Sequence, residues 1–396
     1  MACALLGATQ AAAQSLVAHT PFDDDSGQTL FDAEGAEGGA RAGNFDVRAA
    51  AGLSFGFDNN VYATGQAVRS DELASGQFLL RATDQGPTRS LQLLAHLNAR
   101  RYASESSQDS QEYGVAGELQ RAFGGRDLLE VRFDAARQIE SRTDIEAPPL
   151  ALSPYDKLSG FLDYQHFFNR LSTQLRTEAV RLQYQAAGQQ FRDRWQYRAE
   201  FAPAYGMTAR LRALAVMYFN RDDFDVSGAR DSSADTRGLL LGMHYESPDL
   251  FALEFAAGYF QRRADDGIDD LDGLSGRASF TWQPTQLTRI ETGLLRTDAP
   301  TRVPGAFAKI RSDVHLELQH SYSRSFSFVT GLRYQIDEFD GLQRTDNAWI
   351  AAAGCSWSLT RHALIDFHYE FSLRDTQEGV RDFDRQLAQL TWVWRL

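Results

Sequence analysis

Along most of this chain apolar and polar residues take turns. From Ala363 to Arg374 the residues Ala363, Ile365, Phe367, Tyr369, Phe371 and Leu373 share one parity. Leu364, Asp366, His368, Glu370, Ser372 and Arg374 share the other. Period two is the side-chain period of a β-strand, because successive Cβ atoms point to opposite faces. The same rhythm returns in Val314, Leu316 and Leu318 against His315, Glu317 and Gln319, and in Ala278, Phe280 and Trp282 against Arg277, Ser279 and Thr281. It returns again in Trp195, Tyr197 and Phe201 against Arg194, Arg198 and Glu200. About eighteen such segments follow one another from Phe45 onward, centred near residues 51, 77, 94, 116, 133, 162, 177, 197, 214, 241, 256, 278, 292, 317, 331, 353, 368 and 390.

The connections between segments fall into two classes that themselves alternate. Tight ones read FGGRD, FFNRL, YGMTA, ESPDL, QPTQL, SYSRS and SLTRH. Long polar ones read RYASESSQDSQ, ESRTDIEAPPLALSPYD, RDDFDVSGARDSSADT, RRADDGIDDLDG and DAPTRVPGAFAKIRSD. Outer-membrane barrels have short periplasmic turns and longer external loops, with apolar-out and polar-in alternation. The pattern therefore predicts an all-β protein, a transmembrane antiparallel up-and-down β-barrel of about 18 strands, within a range of 16 to 18. The segment ending in Leu390, Trp392, Trp394 and Leu396 is expected to pair with the one near Asp46–Phe57 and close the ring. Its tryptophans would sit in an interfacial aromatic girdle.

Composition narrows the reading further. Of 396 residues, 43% are hydrophobic, yet no run approaches the 18 or so apolar residues of a membrane helix. Aromatics are plentiful (26 Phe, 14 Tyr, 6 Trp) against 10 Pro, a balance suited to strands. A formal net charge of −13 argues against a nucleic-acid partner, which needs a basic surface. Residues 1–14, MACALLGATQAAAQ, resemble the apolar core and small-residue cleavage site of a secretory signal without its basic start. Residues 15–44 read as a flexible acidic periplasmic tail, and 45–396 as the barrel. Only Cys3 and Cys355 are present, so loss of the signal would leave no disulfide.

Candidate chemistry is sparse. Asp366, His368 and Glu370 share a strand face at spacings of roughly 7 Å, but polar alternation facing a wet lumen accounts for them. The loop DDGIDDLDG, Asp265–Gly273, is rich in carboxylates but lacks EF-hand spacing. No phosphate loop, zinc spacing or dinucleotide fingerprint occurs, so no catalytic residue, cofactor or metal is expected. The acidic loops Arg221–Thr236 and Arg262–Gly273 are expected on the cell exterior. Inward parity carries Arg176, Glu178, Arg194, Arg198, Glu200, Arg212, Arg277, Arg333, His368, Glu370 and Arg374. Mixed signs of charge argue against strong ion selectivity. The aromatics Phe161, Phe167, Tyr184, Tyr218 and Phe260 share that parity, either as local packing or as faces over which sugar rings could slide.

The stretch GLSFGFDNNVY, Gly52–Tyr62, followed by barrel-like texture to residue 396, resembles the putative β-barrel porin 2 family. That resemblance implies an outer-membrane barrel of a Gram-negative bacterium, set among lipid and lipopolysaccharide. It further implies a conduit for a secreted exopolysaccharide, working with a periplasmic polysaccharide export protein. It assigns no role to Asp58, Asn59 or Asn60. Two other expectations stand beside it: a general diffusion porin for small solutes, with the loop Glu140–Asp156 as an inward constriction, and a plugged structural or adhesive barrel.

Overall fold

The computed structural model describes residues 39–142, 152–225, 233–248, 250–265, 270–301, 303–377 and 382–395. Its strands are β1 Ala40–Ala42, β2 Phe45–Asp58, β3 Asp71–Gln85, β4 Arg89–Tyr102, β5 Ser110–Phe123, β6 Asp127–Ile139, β7 Pro154–Phe167, β8 Leu171–Tyr184, β9 Arg194–Gly206, β10 Leu211–Phe224, β11 Ala234–Ser247, β12 Phe251–Ala264, β13 Asp270–Thr285, β14 Thr288–Pro300, β15 Ala308–Ser323, β16 Phe326–Phe339, β17 Arg344–Thr360, β18 Ala363–Thr376 and β19 Phe383–Arg395. Every one of the eighteen expected segments lies inside one of β2 to β19. From β2 onward each strand pairs antiparallel with the next, and β19 pairs with β2 from Leu387↔Asp58 to Arg395↔Ala50. The ring is closed. The short β1 pairs with the start of β2, so the region read as tail already joins the sheet at Ala40. The rest of that tail and the signal-like segment, 1–38, lie outside the described residues.

Turns of two to four residues join strands at one end of the barrel, and connections of up to 14 residues join them at the other. On the outer surface the exposed side chains are apolar: Leu53, Phe55, Phe57, Phe133, Leu241, Phe255, Leu316 and Phe367 among them. Soluble proteins rarely expose so continuous an apolar surface, and a bilayer accounts for it. Trp392 and Trp394, with ring centroids 5.8 Å apart, stand outward near the short-turn end together with Trp282, Tyr322 and Trp357. Those positions are the expected girdle.

Inward parity is not the same as contact with water. Leu364 faces the lumen but is only 2% exposed, because it packs with Ala50, Leu79, Leu94, Ala116 and Val393 in an internal apolar cluster. Arg333, on the same inner surface, keeps 46% of its side chain exposed. In a cysteine-free background, Arg333→Cys should therefore react rapidly with a water-soluble maleimide, and Phe367→Cys should react slowly in liposomes. Equal rates at the two sites would contradict the assigned faces.

The seam between β2 and β19 accounts for the motif that the sequence left without a role. Asp58 is fully buried and accepts from Arg385 Nη2 at 2.6 Å and Nε at 3.1 Å. It also accepts from the Tyr102 hydroxyl at 3.2 Å and the Asn60 backbone N–H at 3.0 Å. Asn59 exchanges two hydrogen bonds with the Gln386 backbone. Asn60 Nδ2 donates to the carbonyls of Asp384 at 2.8 Å and Thr64 at 2.9 Å. Val61 packs with Leu73, Tyr102 and Leu387. Tyr62 donates to Glu105 at 2.8 Å. Glu105, in the β4–β5 connection, is held below the usual carboxylate range by hydrogen bonds from Arg69 and then Tyr62. The motif thus caps the seam where its backbone ladder ends.

Candidate functional site: the lumen wall

From β6 to β13 the inner surface carries charges that pair with one another. Asp163 accepts from Arg176 Nε at 2.8 Å, and Arg176 lies 3.6 Å from Glu200. Arg198 lies 3.6 Å from Glu178, and Lys157 lies 3.5 Å from Asp134. Glu254 stands between Arg277 at 3.3 Å and His244 at 3.4 Å. Arg277 donates to Glu200 at 3.0 Å, although β10, β11 and β12 separate their strands. Both side chains are 4% exposed. Residues that meet past three intervening strands must both project toward the barrel axis, so this part of the lumen is filled.

Small inward residues beneath those charges make the arrangement geometrically feasible. A Cβ at Gly238 would lie 2.2 Å from the Tyr218 ring, and one at Gly258 would lie 1.8 Å from the Leu239 carbonyl oxygen. Tyr218 lies across the Gly238 position and donates to Ser275 at 3.1 Å. Burial of so many charges is tolerable because each has an opposite partner; removing one partner would leave an uncompensated charge in a dry site.

The connection after β14 adds to the filling. Outward parity on β14 runs through Leu294 and Arg296, and strict alternation would place Asp298 outward as well. Instead Asp298 accepts from Thr236 Oγ1 at 2.6 Å and from Arg262 Nη1 at 3.0 Å, both of which face the lumen. Arg262 also donates to Asp222 at 2.9 Å, and its guanidinium lies 5.7 Å from the centre of the Phe307 ring. Phe307 and Ala308 belong to the apolar cluster of Val216, Tyr218, Leu240, Phe260 and Leu271, with Ile310 packed against it. Val303 and Ala306 pack with Phe339 and Leu342 on the other side. The top of the β14–β15 hairpin has turned in over the lumen.

Across from this packed region the wall is different. Inward positions on β17 are Ala348, Ile350, Ala352, Gly354, Ser356 and Ser358, most of them small. Near them Gln319 and Arg333 are exposed, while Glu317, His368 and Glu370 are half-buried. Arg333 donates to Asp313 at 2.6 Å without losing its exposure. Toward the long-loop end, Asp337 accepts from Lys309 and Arg311, each at 2.9 Å. Asp346 accepts from Arg344 and Arg374, each at 2.7 Å.

All sixteen residues read as lumen-facing stand on the inward parity, but they do not form one site. Arg176, Glu178, Arg198, Glu200 and Arg277 converge in the packed wall. Arg333, His368 and Glu370 line the open one. Arg212 and Phe167 lie apart at the short-turn end, beside a shallow cavity with Asn169 and Met207. The aromatic track is not formed: Phe161 is buried beneath Arg132, with the guanidinium 4.4 Å from its ring centre. Arg192 covers Tyr184 at 4.2 Å, Arg194 lies 5.4 Å from the Phe224 ring, and Phe260 is completely buried. The residues that sequence reasoning missed are Asp222, Arg262, Asp298 and Phe307, all four of which it had placed in the long external loops. One signal pointed to them: the connection DAPTRVPGAFAKIRSD carries Val303, Ala306 and Phe307, too apolar for a solvated loop.

A family model described as "Putative beta-barrel porin 2" matches residues 32–395. This chain belongs to that family. The porin is an outer-membrane β-barrel of a Gram-negative bacterium. No curated protein matches its sequence. Among solved structures it is similar to OccAB4 of Acinetobacter baumannii, with 12% identity over 88% of this chain and 98% of that one, at a TM-score of 0.48. It is also similar to the outer membrane protein opdK of Pseudomonas aeruginosa, with 10% identity over 89% and 99% of the two chains and a TM-score of 0.45.

In an outer-membrane porin the short-turn end faces the periplasm and the long-loop end the exterior. The external loops of this porin are tied to one another. Glu140 bonds to Arg192, and Arg142 to Gln108. Arg221 joins Asp235 and Asp265, each at 2.9 Å, so the two acidic loops share a cation instead of simply repelling. The loop expected to constrict the lumen, Glu140–Asp156, is described only at its two ends, residues 143–151 lying outside the described residues; the constriction that the described residues form comes from β14–β15.

Proposed function

We propose that this porin passes small hydrophilic solutes by diffusion along the β15–β18 side of its lumen, with weak preference for charge. The observation that carries this reading is the asymmetry of the inner wall. One side is packed with paired charges and an inward-turned hairpin. The other offers small side chains and water-exposed polar groups of both signs. An eighteen-stranded barrel is wide enough for an aqueous channel, and the packed side reduces it to a passage along one wall. Mixed Arg, Glu and His contacts favour solutes that bind weakly and leave easily. The polymer-conduit expectation fits less well: the wide, aromatic-lined track that it needs is replaced by buried rings and cross-lumen ion pairs.

The test is reconstitution. In planar bilayers the purified porin should show discrete conductance steps, and liposomes containing it should swell with monosaccharides but not with long dextrins. Absence of both would overturn the channel reading. Normal solute flux in a strain lacking the gene, together with loss of surface polysaccharide, would restore the polymer conduit in its place.

A further inference from the structure

We infer that Arg262 is a positioning residue that latches the β14–β15 hairpin inside the lumen and thereby sets the size limit of the passage. This rests on reading the lumen as a solute path. Arg262 is 1% exposed, and its Nη1 reaches three oxygens on three strands: Asp222 on β10, Thr236 on β11 and Asp298 on β14. Of these, Asp298 belongs to the hairpin and the other two to the barrel wall. The guanidinium is therefore the bridge from wall to hairpin, and the Thr236 hydroxyl, donating to Asp298, is a second one. Phe307 lies over the same guanidinium, so the apolar end of the hairpin is anchored at the same point.

Toward β13 and the packed wall the hairpin has only side-chain contacts to hold it, while on its other side β15 stays laddered to β16 up to Lys309↔Phe339 and the Asp340 N–H donates to the Ala308 carbonyl at 2.9 Å. Ladder pairing between β13 and β14 stops at Gly276↔Arg296, two residues before Asp298. Beyond that point β14 and β15 pair with each other up to Pro300↔Ala308 and lean on the wall through Arg262, Thr236 and Phe307. A hairpin freed from β13's ladder and fastened on that side by a charge cluster can hinge about the retained β15–β16 ladder when the cluster is broken. Thr301, Val303, Ala306 and Phe307, all buried now, would then swing toward water and widen the lumen.

The experiment uses the full-length porin in a Cys3→Ser, Cys355→Ser background carrying Ala306→Cys as a reporter. In the otherwise unchanged protein, Cys at 306 should react slowly with a membrane-impermeant maleimide. Adding Arg262→Met should raise the labelling rate roughly tenfold or more, the factor that corresponds to about 1.4 kcal/mol in the latched–open equilibrium. Phe307→Ala should do the same in part. Both variants should also increase single-channel conductance, and in a porin with residues 301–307 replaced by two glycines Arg262→Met should add nothing further. If Arg262→Met fails to give a heat-modifiable folded band, Asp298→Asn and Phe307→Ala carry the same readouts. Unchanged labelling in the folded variants would overturn the latch. Labelling does not depend on transport, so a porin that conducts nothing would sink the channel reading while the latch is still decided.

Discussion

Replacing Asp58 by alanine should cost the barrel about 3–5 kcal/mol, the usual penalty for stranding one member of a buried pair. Arg385 would keep its charge at the seam with an 11% exposed side chain and without its hydrogen-bonded carboxylate. The Tyr102 hydroxyl and the Asn60 N–H would lose their acceptor in the same step. Asp58→Asn should be milder, since the amide oxygen still accepts hydrogen bonds while the charge attraction is lost. The measurement is the temperature at which the folded, fast-migrating band converts to the unfolded one on electrophoresis. Equal midpoints for wild type and Asp58→Ala would show that the ladder alone holds the seam.

Replacing Phe367 by arginine should lower folded protein in the outer membrane sharply, whereas His368→Arg should be tolerated. The two residues are neighbours with opposite destinations. Phe367 stands on the lipid side, where an arginine near the middle of the bilayer costs about 2–4 kcal/mol in barrels of this kind. His368 stands over the lumen, half-buried among polar groups, where another cation meets water. Comparable yields for the two variants in membrane fractions would contradict the assignment of faces on β18.

The strands were legible because a single local rule writes them: a lipid face and a lumen face must alternate, and Ala363–Arg374 shows both at a glance. The loop classes were legible for the same reason, since tight turns need few residues and their chemistry is local. What lay hidden depends on residues brought together by ring closure. Nothing near Asp58 announces Arg385, 327 positions away. Arg262 looked like the first residue of an acidic loop because Arg263, Asp265 and Asp266 follow it, yet its own parity places it on the inner wall. Asp298 could not be read from alternation, because the hairpin bends away from the cylinder just where that rule would place it outward. Inward parity likewise marked Leu364 and Phe260 as lumen residues but carried no information on whether water or a neighbour would meet them.

The capped seam has a consequence for assembly errors. If β19 slid along β2 by one residue, Leu390, Trp392 and Trp394 would turn toward the lumen, and hydrophobicity alone would reject the mistake. A slide by two residues is more dangerous. It keeps Leu390, Trp392 and Trp394 in lipid, preserves backbone pairing over most of the ladder, and violates no apolar rule. The slide that sets Gln389 opposite Asp58 takes Arg385 four places from its carboxylate, and the slide in the other direction pulls Asn60 away from the Asp384 carbonyl. Polar partners, not greasiness, proofread the last step of closing this cylinder.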